Sequence, residues 1–498
     1  MVERSPCCVV GNHPVGGHDH AGWLTRGKDK EGSGWRSAAI AVGLTLAVLS
    51  LMMAGYHAAE KIWKGDIIAL HLTLYYSVIA AVLSVWLGFM ADINRISMHR
   101  YYHDRLREAF MPSRIEMGPP YGDDECSLSP TDPNLFELSD LACAYKKNNL
   151  VWDVQTPYHL INTTLSVMTS SDAKHRGRGG ENFIFSPLYC GSKATGYRQT
   201  KDYADGKFTL ATAFTISGAA VDPNTGATRF GPLALLMTLF NVRLGYWATN
   251  PNRDRNKQSR SSLNWFYLIM REMFQTRMHE NASHVHLSDG GHFENLAAYE
   301  LIRRKCKLIV IGDAGADPKC TYDTLGLLVE KVRVDFGVRI TIDTSPMNPR
   351  DKKEDRLQRS QSPYVVGTIH YPGEKGKIPG VLVYLNTVMF DGLPEDINTY
   401  KRMNPEFPEQ TTADQFFDEV QFDAYRELGY QAGLRMIWDA SEALELKTTA
   451  GDPLPHPWRE GLSNPQPVPW KSLSSEQQKE LKEMLNATKK VRGATPAG

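Results

Sequence analysis

Two long stretches without a charged residue lie close together near the start of the chain and limit how it can fold. They cover 37–59 and 67–91, and only the short segment 60–66 separates them. Each stretch is long enough to cross about 30 Å of hydrocarbon as a helix. The alternative is a pair of buried helices in a soluble protein, but such helices rarely run this long without a charge. The sequence therefore predicts a two-helix transmembrane hairpin over 35–92.

The basic residues around this hairpin predict its orientation. They lie on both outer flanks, with Arg26, Lys28, Lys30 and Arg36 before the first stretch and Arg95, Arg100, Arg105 and Arg107 after the second. The connecting loop carries only Lys61 and Lys64. Because positively charged flanks remain on the cytoplasmic side, we expect a two-pass protein of the cell (inner) membrane. Both ends of the hairpin, and the rest of the chain, would then be cytoplasmic.

The remainder of the chain divides by composition. Lys plus Arg and Asp plus Glu number 56 each. The chain therefore lacks the excess of positive charge that is typical of nucleic-acid-binding proteins, and we expect no nucleic-acid partner. The seven cysteines are irregularly spaced, which is typical of reduced thiols and not of a disulfide framework. We expect a disordered polar leader at 1–34, a juxtamembrane helix and linker at 93–150, an α/β part at 151–440, and a Pro-rich tail with one short helix at 441–498.

Strand-like and helix-like segments alternate beyond the linker. The strand-like segments are 158–168, 182–188 and 308–311, and the helix-like segments include 207–220 and 292–305. Helices that alternate with buried strands are typical of an α/β sheet covered on both faces. The uninterrupted apolar run at 308–311 predicts an interior strand of the main sheet.

One short stretch carries the most specific chemistry. A strand-like segment at 284–287 leads into a sharp turn containing Asp289, Gly290 and Gly291, and a helix is predicted from His292. A carboxylate at the end of a strand lies where α/β folds bind their ligands, and glycines allow close approach of the backbone. Asp289 is therefore a candidate general base for a nearby hydroxyl group. Taken alone, Asp-Gly-Gly is more typical of an ordinary turn.

The sequence around this turn resembles the patatin-like phospholipases. The stretch 284–317 (HVHLSDGGHFENLAAYELIRRKCKLIVIGDAGAD) is similar to their aspartate motif, in which Asp-Gly-Gly or Asp-Gly-Ala supplies the base of a Ser-Asp dyad. Three further segments resemble the large, membrane-attached bacterial branch of the family: 157–164 (PYHLINTT), 216–247 (ISGAAVDPNTGATRFGPLALLMTLFNVRLGYW) and 411–429 (TTADQFFDEVQFDAYRELG). The resemblance covers most of 92–435.

This resemblance implies a fold and an activity. The fold would be a three-layer α/β/α core, and the activity would be hydrolysis of an acyl ester by a phospholipase or lysophospholipase. Asp289 would be the base of the dyad, and the small-residue helix around Ser217 and Gly218 would pack beside the active site. The partners would be a membrane lipid substrate and the bilayer. We expect no cofactor and no metal.

The serine that such a dyad requires is not evident in the sequence. Patatin-like enzymes carry a glycine-rich oxyanion loop and a Gly-x-Ser-x-Gly elbow before the aspartate, and the segments 32–34, 177–180 and 191–192 lack that spacing. We therefore expect a C-terminal portion of a larger enzyme, with the nucleophile on an upstream segment or a separate chain. The alternatives are an inactive membrane scaffold, or Ser192 or Ser217 as a surrogate nucleophile.

Other polar residues near the turn allow further interpretations. His286 and His292, together with His284, suggest a metal-dependent hydrolase as another alternative, but the His-Glu-x-x-His pattern is absent. We favour a structural or site-lining role for these histidines. Asp313 and Asp317 follow the apolar run at 308–311 and either line the cleft or shape a strand-to-helix loop, and we favour the loop.

Overall fold

The structure of the chain is a computed structural model. It describes residues 53–65, 67–111, 136–141, 145–148, 151–154, 158–224, 232–252, 264–350, 355–373, 378–411, 417–445 and 468–493. The chain divides into two compact units, Met1–Gly88 and Phe89–Gly498. The predicted leader at 1–34 and most of the first predicted span lie outside the described residues.

The described part of the first unit is helical. Residues 53–63 form a helix, and after a short turn α1 runs over Ile67–Met90. The window His71–Met90 is long and apolar enough to cross a membrane, and only 6% of it is buried. Within the described residues this is one candidate span where the sequence predicted two. The two-helix hairpin is therefore not supported by the described residues, which offer one candidate span by length and composition alone.

The second unit is a mixture of helices and strands, which confirms a mixed α/β fold. The helices are α2 (Ile93–Ile96), α3 (Met98–Phe110), α4 (Ala173–Arg178), α5 (Leu210–Ser217), α6 (Pro232–Leu239), α7 (Trp265–Met273), α8 (Tyr299–Arg303), α9 (Asp323–Phe336), α10 (Glu395–Met403), α11 (Glu419–Ala443) and α12 (Ser475–Gly493). The strands are β1 (Tyr145–Asn148), β2 (Val151–Val154), β3 (Ile161–Ser166), β4 (Gly180–Phe185), β5 (Tyr189–Ser192), β6 (Gly196–Gln199), β7 (Tyr246–Thr249), β8 (His284–Asp289), β9 (Leu308–Asp313), β10 (Arg339–Thr341), β11 (Tyr364–His370) and β12 (Gly380–Asn386).

A six-stranded antiparallel sheet holds the aspartate turn. Its order is β6-β5-β4-β3-β8-β7, and β3 pairs with β8 so that Thr163 lies opposite Asp289. One face of this sheet packs against α5 in a core formed by Leu165, Phe183, Phe185, Ala213, Ile216, Val285 and Leu287. Side chains alternate across a strand, so Asp289 projects to the same face as Val285 and Leu287. The apolar alternation of β8 thus directs Asp289 towards α5.

A four-stranded sheet with the order β10-β11-β12-β9 forms the second layer of strands. Only the pair β12–β9 is parallel, and β9 lies at the edge of this sheet. The prediction that 308–311 is an interior strand of one main sheet was therefore wrong. Ile309 and Ile311 are buried in a core with Tyr384, whereas Val310 is 48% exposed. An apolar run of four residues cannot distinguish a strand buried on both faces from one buried on a single face.

The helix predicted at 292–305 also differs from the structure. A short 3-10 turn covers Gly290–His292, and the α-helix α8 begins only at Tyr299. The carboxylate of Glu294 accepts backbone N–H groups of Leu296 (2.5 Å), Ala298 (2.8 Å) and Tyr299 (3.0 Å). A side chain that satisfies these donors acts as a helix cap, and it delays the start of the helix.

The end of the predicted Pro-rich tail packs onto the second sheet. Helix α12 (Ser475–Gly493) lies in this region. Trp470, Leu473 and Leu481 are buried with Tyr364 and Val383 of β11 and β12. The Trp470 indole N–H also donates to the Met436 carbonyl of α11 at 3.1 Å. These contacts make the described part of the tail, 468–493, a covering layer of this sheet.

Candidate functional site

The Asp289 turn is held from two sides by the backbone. Asp289 is the last residue of β8, and its Oδ1 accepts the N–H of Gly291 at 2.6 Å. Its own N–H donates to the carbonyl of Ala219 at 3.3 Å. A Cβ on Gly290 would lie 2.6 Å from the backbone oxygen of Asn162, so only glycine fits there. The predicted turn at Asp289, Gly290 and Gly291 is therefore present, and its carboxylate has a fixed position.

The small-residue segment after α5 forms one wall beside this turn. The hydroxyl of Ser217 donates to the carbonyl of Asn162 at 2.8 Å, and that same carbonyl borders Gly290. The carbonyl of Ala220 lies 3.2 Å from Nε2 of His292. Ser217, Gly218 and His292, which the sequence placed near the site, thus surround the Asp289 turn. Their role as lining residues stays a prediction.

Tyr102 reaches the same wall, and the sequence analysis did not identify it. Its hydroxyl lies 2.8 Å from the position that a Cβ on Gly218 would take. Helix α3, which carries Tyr102, packs along α5, and the rings of Phe110 and Phe214 meet edge to face at 5.9 Å. The only signal in the sequence is the helical spacing of Tyr102, Leu106 and Phe110, which marks one face of α3.

The electrostatics of the turn favour a more basic carboxylate. Partial burial raises the pKa of Asp289, while the Gly291 N–H and the charge of His292 lower it, and the net direction is upward. The pKa of Tyr102 is also raised, first by burial and then by the negative charge of Asp289. A carboxylate with a raised pKa is a better proton acceptor at neutral pH. The arrangement can therefore take a proton from a hydroxyl group that is brought to it.

His286 lies on the opposite face of β8 from Asp289, in a buried polar cluster. Its Nδ1 is 3.2 Å from the hydroxyl of Ser166, and its Nε2 is 3.3 Å from Oδ2 of Asp222. The side chains of His286 and Asp222 are fully buried. Although serine, histidine and aspartate meet here, no substrate can reach them. The structure thus places His286 away from Asp289. This differs from the prediction that His286 lines the same site.

The buried cluster around His286 holds the segment 219–224, which follows Ser217 and Gly218. Asp222 accepts the N–H of Asn224 at 2.8 Å, and the Val221 carbonyl accepts the N–H of Leu244 at 2.8 Å. Behind His286, the Glu272 carboxylate accepts the indole N–H of Trp247 at 3.0 Å and lies 3.5 Å from Nη1 of Arg243. The cluster therefore fixes 219–224, and with it the carbonyl of Ala219 that holds Asp289.

The three histidines near the turn do not converge on one point. His284 and His286 are buried in β8, and Nδ1 of His292 lies 3.0 Å from the hydroxyl of Ser288. Throughout the part of the chain that the structure describes, no group of three or more His, Cys, Asp or Glu side chains is arranged to hold a metal ion. The metal-dependent alternative thus has no geometric support among those residues.

Asp313 belongs to the other sheet. It ends β9, and its carboxylate accepts the hydroxyls of Tyr384 (2.7 Å) and Thr324 (2.8 Å) and the N–H of Gly315 (2.9 Å). Asp317 likewise accepts the N–H of Tyr322 at 2.7 Å. Carboxylates that bond their own loop in this way shape it, which agrees with the interpretation favoured from the sequence.

Ser192 is separated from Asp289 by the order of the strands. It lies in β5, and β4 and β3 stand between β5 and β8. Its hydroxyl is buried and accepts the N–H of Thr195 at 2.9 Å. Of the two surrogate serines considered from the sequence, only Ser217 is therefore near the turn, and its hydroxyl proton is directed to the Asn162 carbonyl.

Comparison with known proteins finds distant structural similarity only. No family model matches the chain, and no curated protein matches it. The chain is similar to a solved structure of human GIVD cytosolic phospholipase A2, with a TM-score of 0.32 and 11% sequence identity. The alignment covers 69% of this chain and 51% of that one, so the chain spans about half the length of that structure. Such a low TM-score does not establish a shared fold or activity, and the patatin-like resemblance stays an interpretation of the sequence.

Proposed function

We propose that this chain supplies the general base, Asp289, of a membrane-bound patatin-like lipid acyl hydrolase. The observation that carries the proposal is the Asp289 turn, where a fixed, partly buried carboxylate with a raised pKa faces a wall of small residues. The serine nucleophile would come from an upstream segment or from a separate chain. Ser217 and Gly218 would form the wall against which that segment packs.

The proposed chemistry uses the carboxylate twice. As a serine oxygen forms a bond to the acyl carbon of the lipid ester, its proton passes to Asp289. When the ester bond to the leaving alcohol breaks, Asp289 returns that proton to the alcohol oxygen, and an acyl-enzyme remains. Water then attacks the acyl carbon and gives a proton to Asp289, which passes it to the serine oxygen as the fatty acid leaves. The balance of atoms and protons needs no cofactor.

Attachment to the membrane forms part of the proposal. Two helices over 37–59 and 67–91 would cross the inner membrane and leave both ends in the cytoplasm. The candidate span His71–Met90 and the basic residues on the outer flanks support this arrangement. Such an anchor would keep the Asp289 turn close to lipid substrate.

The proposal is tested by restoring a nucleophile. The full chain is produced in membranes together with a segment that carries a glycine-rich loop and a serine elbow, either fused upstream or as a second chain, and release of fatty acid from phospholipid is measured. Asp289→Asn keeps an acceptor for the Gly291 N–H but removes the basicity. We expect turnover to fall by about 10³-fold, as for loss of a general base.

Asp343→Asn is the matched control. Asp343 also follows a strand, and it accepts an N–H two residues later, that of Ser345, at 3.0 Å. Its substitution should leave turnover within about twofold of the parent, since surface changes of this kind have small effects. Turnover of Asp289→Asn within tenfold of the parent would contradict the role of Asp289. A correctly folded complex without any hydrolysis would instead favour the inactive membrane scaffold.

A further inference from the structure

Two segments of the second unit, 90–98 and 235–240, carry exposed apolar side chains. Together we call them the apolar patch, and its members are Met90, Ile96, Met98, Leu235, Leu236 and Phe240. Their exposed fractions range from 45% to 71%. Soluble proteins seldom leave several large apolar side chains together in water, and such groups usually mark a contact surface.

The elements that carry the patch are joined by hydrogen bonds. The side-chain amide of Asn241, which follows α6, donates to the Ile96 carbonyl of α2 at 3.0 Å. Nη2 of Arg243 donates to the Ile93 carbonyl at 2.8 Å, and the N–H of Trp265 in α7 donates to the Ala91 carbonyl at 2.9 Å. Helix α6 in turn packs on α7. Residues distant in sequence are thus held in one region of the unit.

Continuity with α1 indicates what covers this patch. Met90 is both a member of the patch and the last residue of the candidate membrane span. Asn264 donates its side-chain amide to the Phe89 carbonyl at 3.0 Å, and the rings of Phe89 and Phe266 are 5.4 Å apart. The fold of the second unit is therefore tied to the end of a helix whose side chains suit hydrocarbon.

The charges around the patch also suit a bilayer. From 232 to 242, which includes α6, the chain has no charged residue. Arg95 and Arg100, near Ile96 and Met98, are 84% and 61% exposed and pair with Asp92 at 3.9 Å and Asp104 at 3.4 Å. An uncharged helix with exposed apolar side chains has the composition of segments that lie in the boundary between headgroups and acyl chains.

We propose that the apolar patch lies in the headgroup–acyl boundary of the bilayer, so that α6 is a second point of membrane contact besides the span. This inference rests on the proposed membrane attachment. It adds a geometric link to the site, because α3 begins at Met98 in the patch and carries Tyr102, whose hydroxyl borders Gly218. One helix thus connects the membrane contact to the wall of the Asp289 turn.

Photocrosslinking of the full chain in vesicles of phosphatidylethanolamine and phosphatidylglycerol tests the proposal. Phe240→p-benzoylphenylalanine places a photoreactive ring of similar shape in the patch. Tyr430→p-benzoylphenylalanine is the matched control, since Tyr430 is an aromatic residue 56% exposed on α11. We expect at least about tenfold more lipid adduct at 240 than at 430, because only the first position contacts acyl chains.

A third variant separates the failure of this inference from failure of the anchor. Tyr75→p-benzoylphenylalanine lies in the candidate span itself. Lipid adducts at 75 together with equal, low yields at 240 and 430 would overturn the patch as a membrane contact while leaving the span intact. Absence of adducts at both 75 and 240 would overturn the membrane attachment as well. Crosslinks at 240 between two copies of the chain would show that a second copy covers the patch, and would also contradict the proposal.

Discussion

At the residue scale, Asp289 combines chemical usefulness with a cost in stability. Its carboxylate is partly buried, and the burial penalises the charged form that a general base must hold. The N–H of Gly291 and the ring of His292 offset only part of this penalty. In an ordinary turn, the ionised aspartate stabilises the fold and its pKa is lowered. The raised pKa of Asp289 distinguishes it from such residues.

We predict that Asp289→Asn makes the full chain more stable at neutral pH. A carboxyl whose folded-state pKa is raised above the ordinary value of 3.8 stabilises the fold fully only below that value. This contribution is lost as the pH rises through the folded-state pKa, and the amide of Asn avoids the loss. Thermal unfolding of both proteins is measured in the same detergent from pH 4 to pH 8. The midpoint temperature of the variant should exceed that of the parent by an amount that increases with pH. A gap that shrinks with increasing pH would contradict the prediction.

The sequence predicted those site residues whose arrangement is local. The strand, the carboxylate and the two glycines follow one another in the chain, so their turn can be predicted from local sequence, while the role of Asp289 stays a prediction. Tyr102 was not recognised, because its position beside Gly218 depends on the packing of α3 against α5. The placement of His286 on the far side of the strand follows from alternation along β8, and counting from Leu287 into the core would have given it.

At the scale of elements, side-chain capping explains the largest error in the helix predictions. The four-residue apolar spacing after the turn was interpreted as a helix over 292–305. Glu294 instead takes the N–H groups of Leu296, Ala298 and Tyr299, and Ala297 adopts a left-handed backbone with φ of 54°. Periodicity alone does not detect a carboxylate that competes with the helix for its first donors.

We predict that Glu294→Ala destabilises the chain by about 2 kcal/mol, the upper range for loss of a helix cap. Removal of the carboxylate leaves backbone donors near Ala298 without their acceptor. Glu294→Gln keeps one acceptor oxygen and should lose less. The control is Glu330→Ala on the exposed side of α9, which should change stability by less than about 0.5 kcal/mol. Chemical denaturation measures all three, and equal midpoints for Glu294→Ala and Glu330→Ala would refute the capping role.

At the scale of the whole molecule, the mixed α/β class was predictable and the strand order was not. Alternating helical and extended segments indicate the class from local patterns. The division into two sheets depends on which distant strands pair, and β8 lies between β3 and β7 although the three are far apart in sequence. For the same reason the edge position of β9 could not be read from its apolar run.

The predicted topology is tested by two reporter fusions to the full chain. With both ends of the hairpin in the cytoplasm, green fluorescent protein after Gly498 should fluoresce, because it folds in that compartment. Alkaline phosphatase inserted at Gly65, in the connecting loop, should be active, because the loop lies outside. A dark fluorescent-protein fusion after Gly498, together with an inactive phosphatase at Gly65 in protein of normal abundance, would show that the orientation is wrong.

The pairing of β3 with β8 has a consequence for how the molecule is made. Thr164 donates to the carbonyl of Gly290 across 126 positions of chain, so this end of the sheet forms only after a very long loop has closed. Contacts between residues so far apart in sequence slow folding, because the chain loses conformational entropy before the pairing contributes stabilising free energy. The Asp289 turn can form early, but Asn162, Ala219 and Tyr102 can join it only late. An intact site is therefore a marker of completed folding, and half-folded chains would expose the open strands β3 and β8 to self-association.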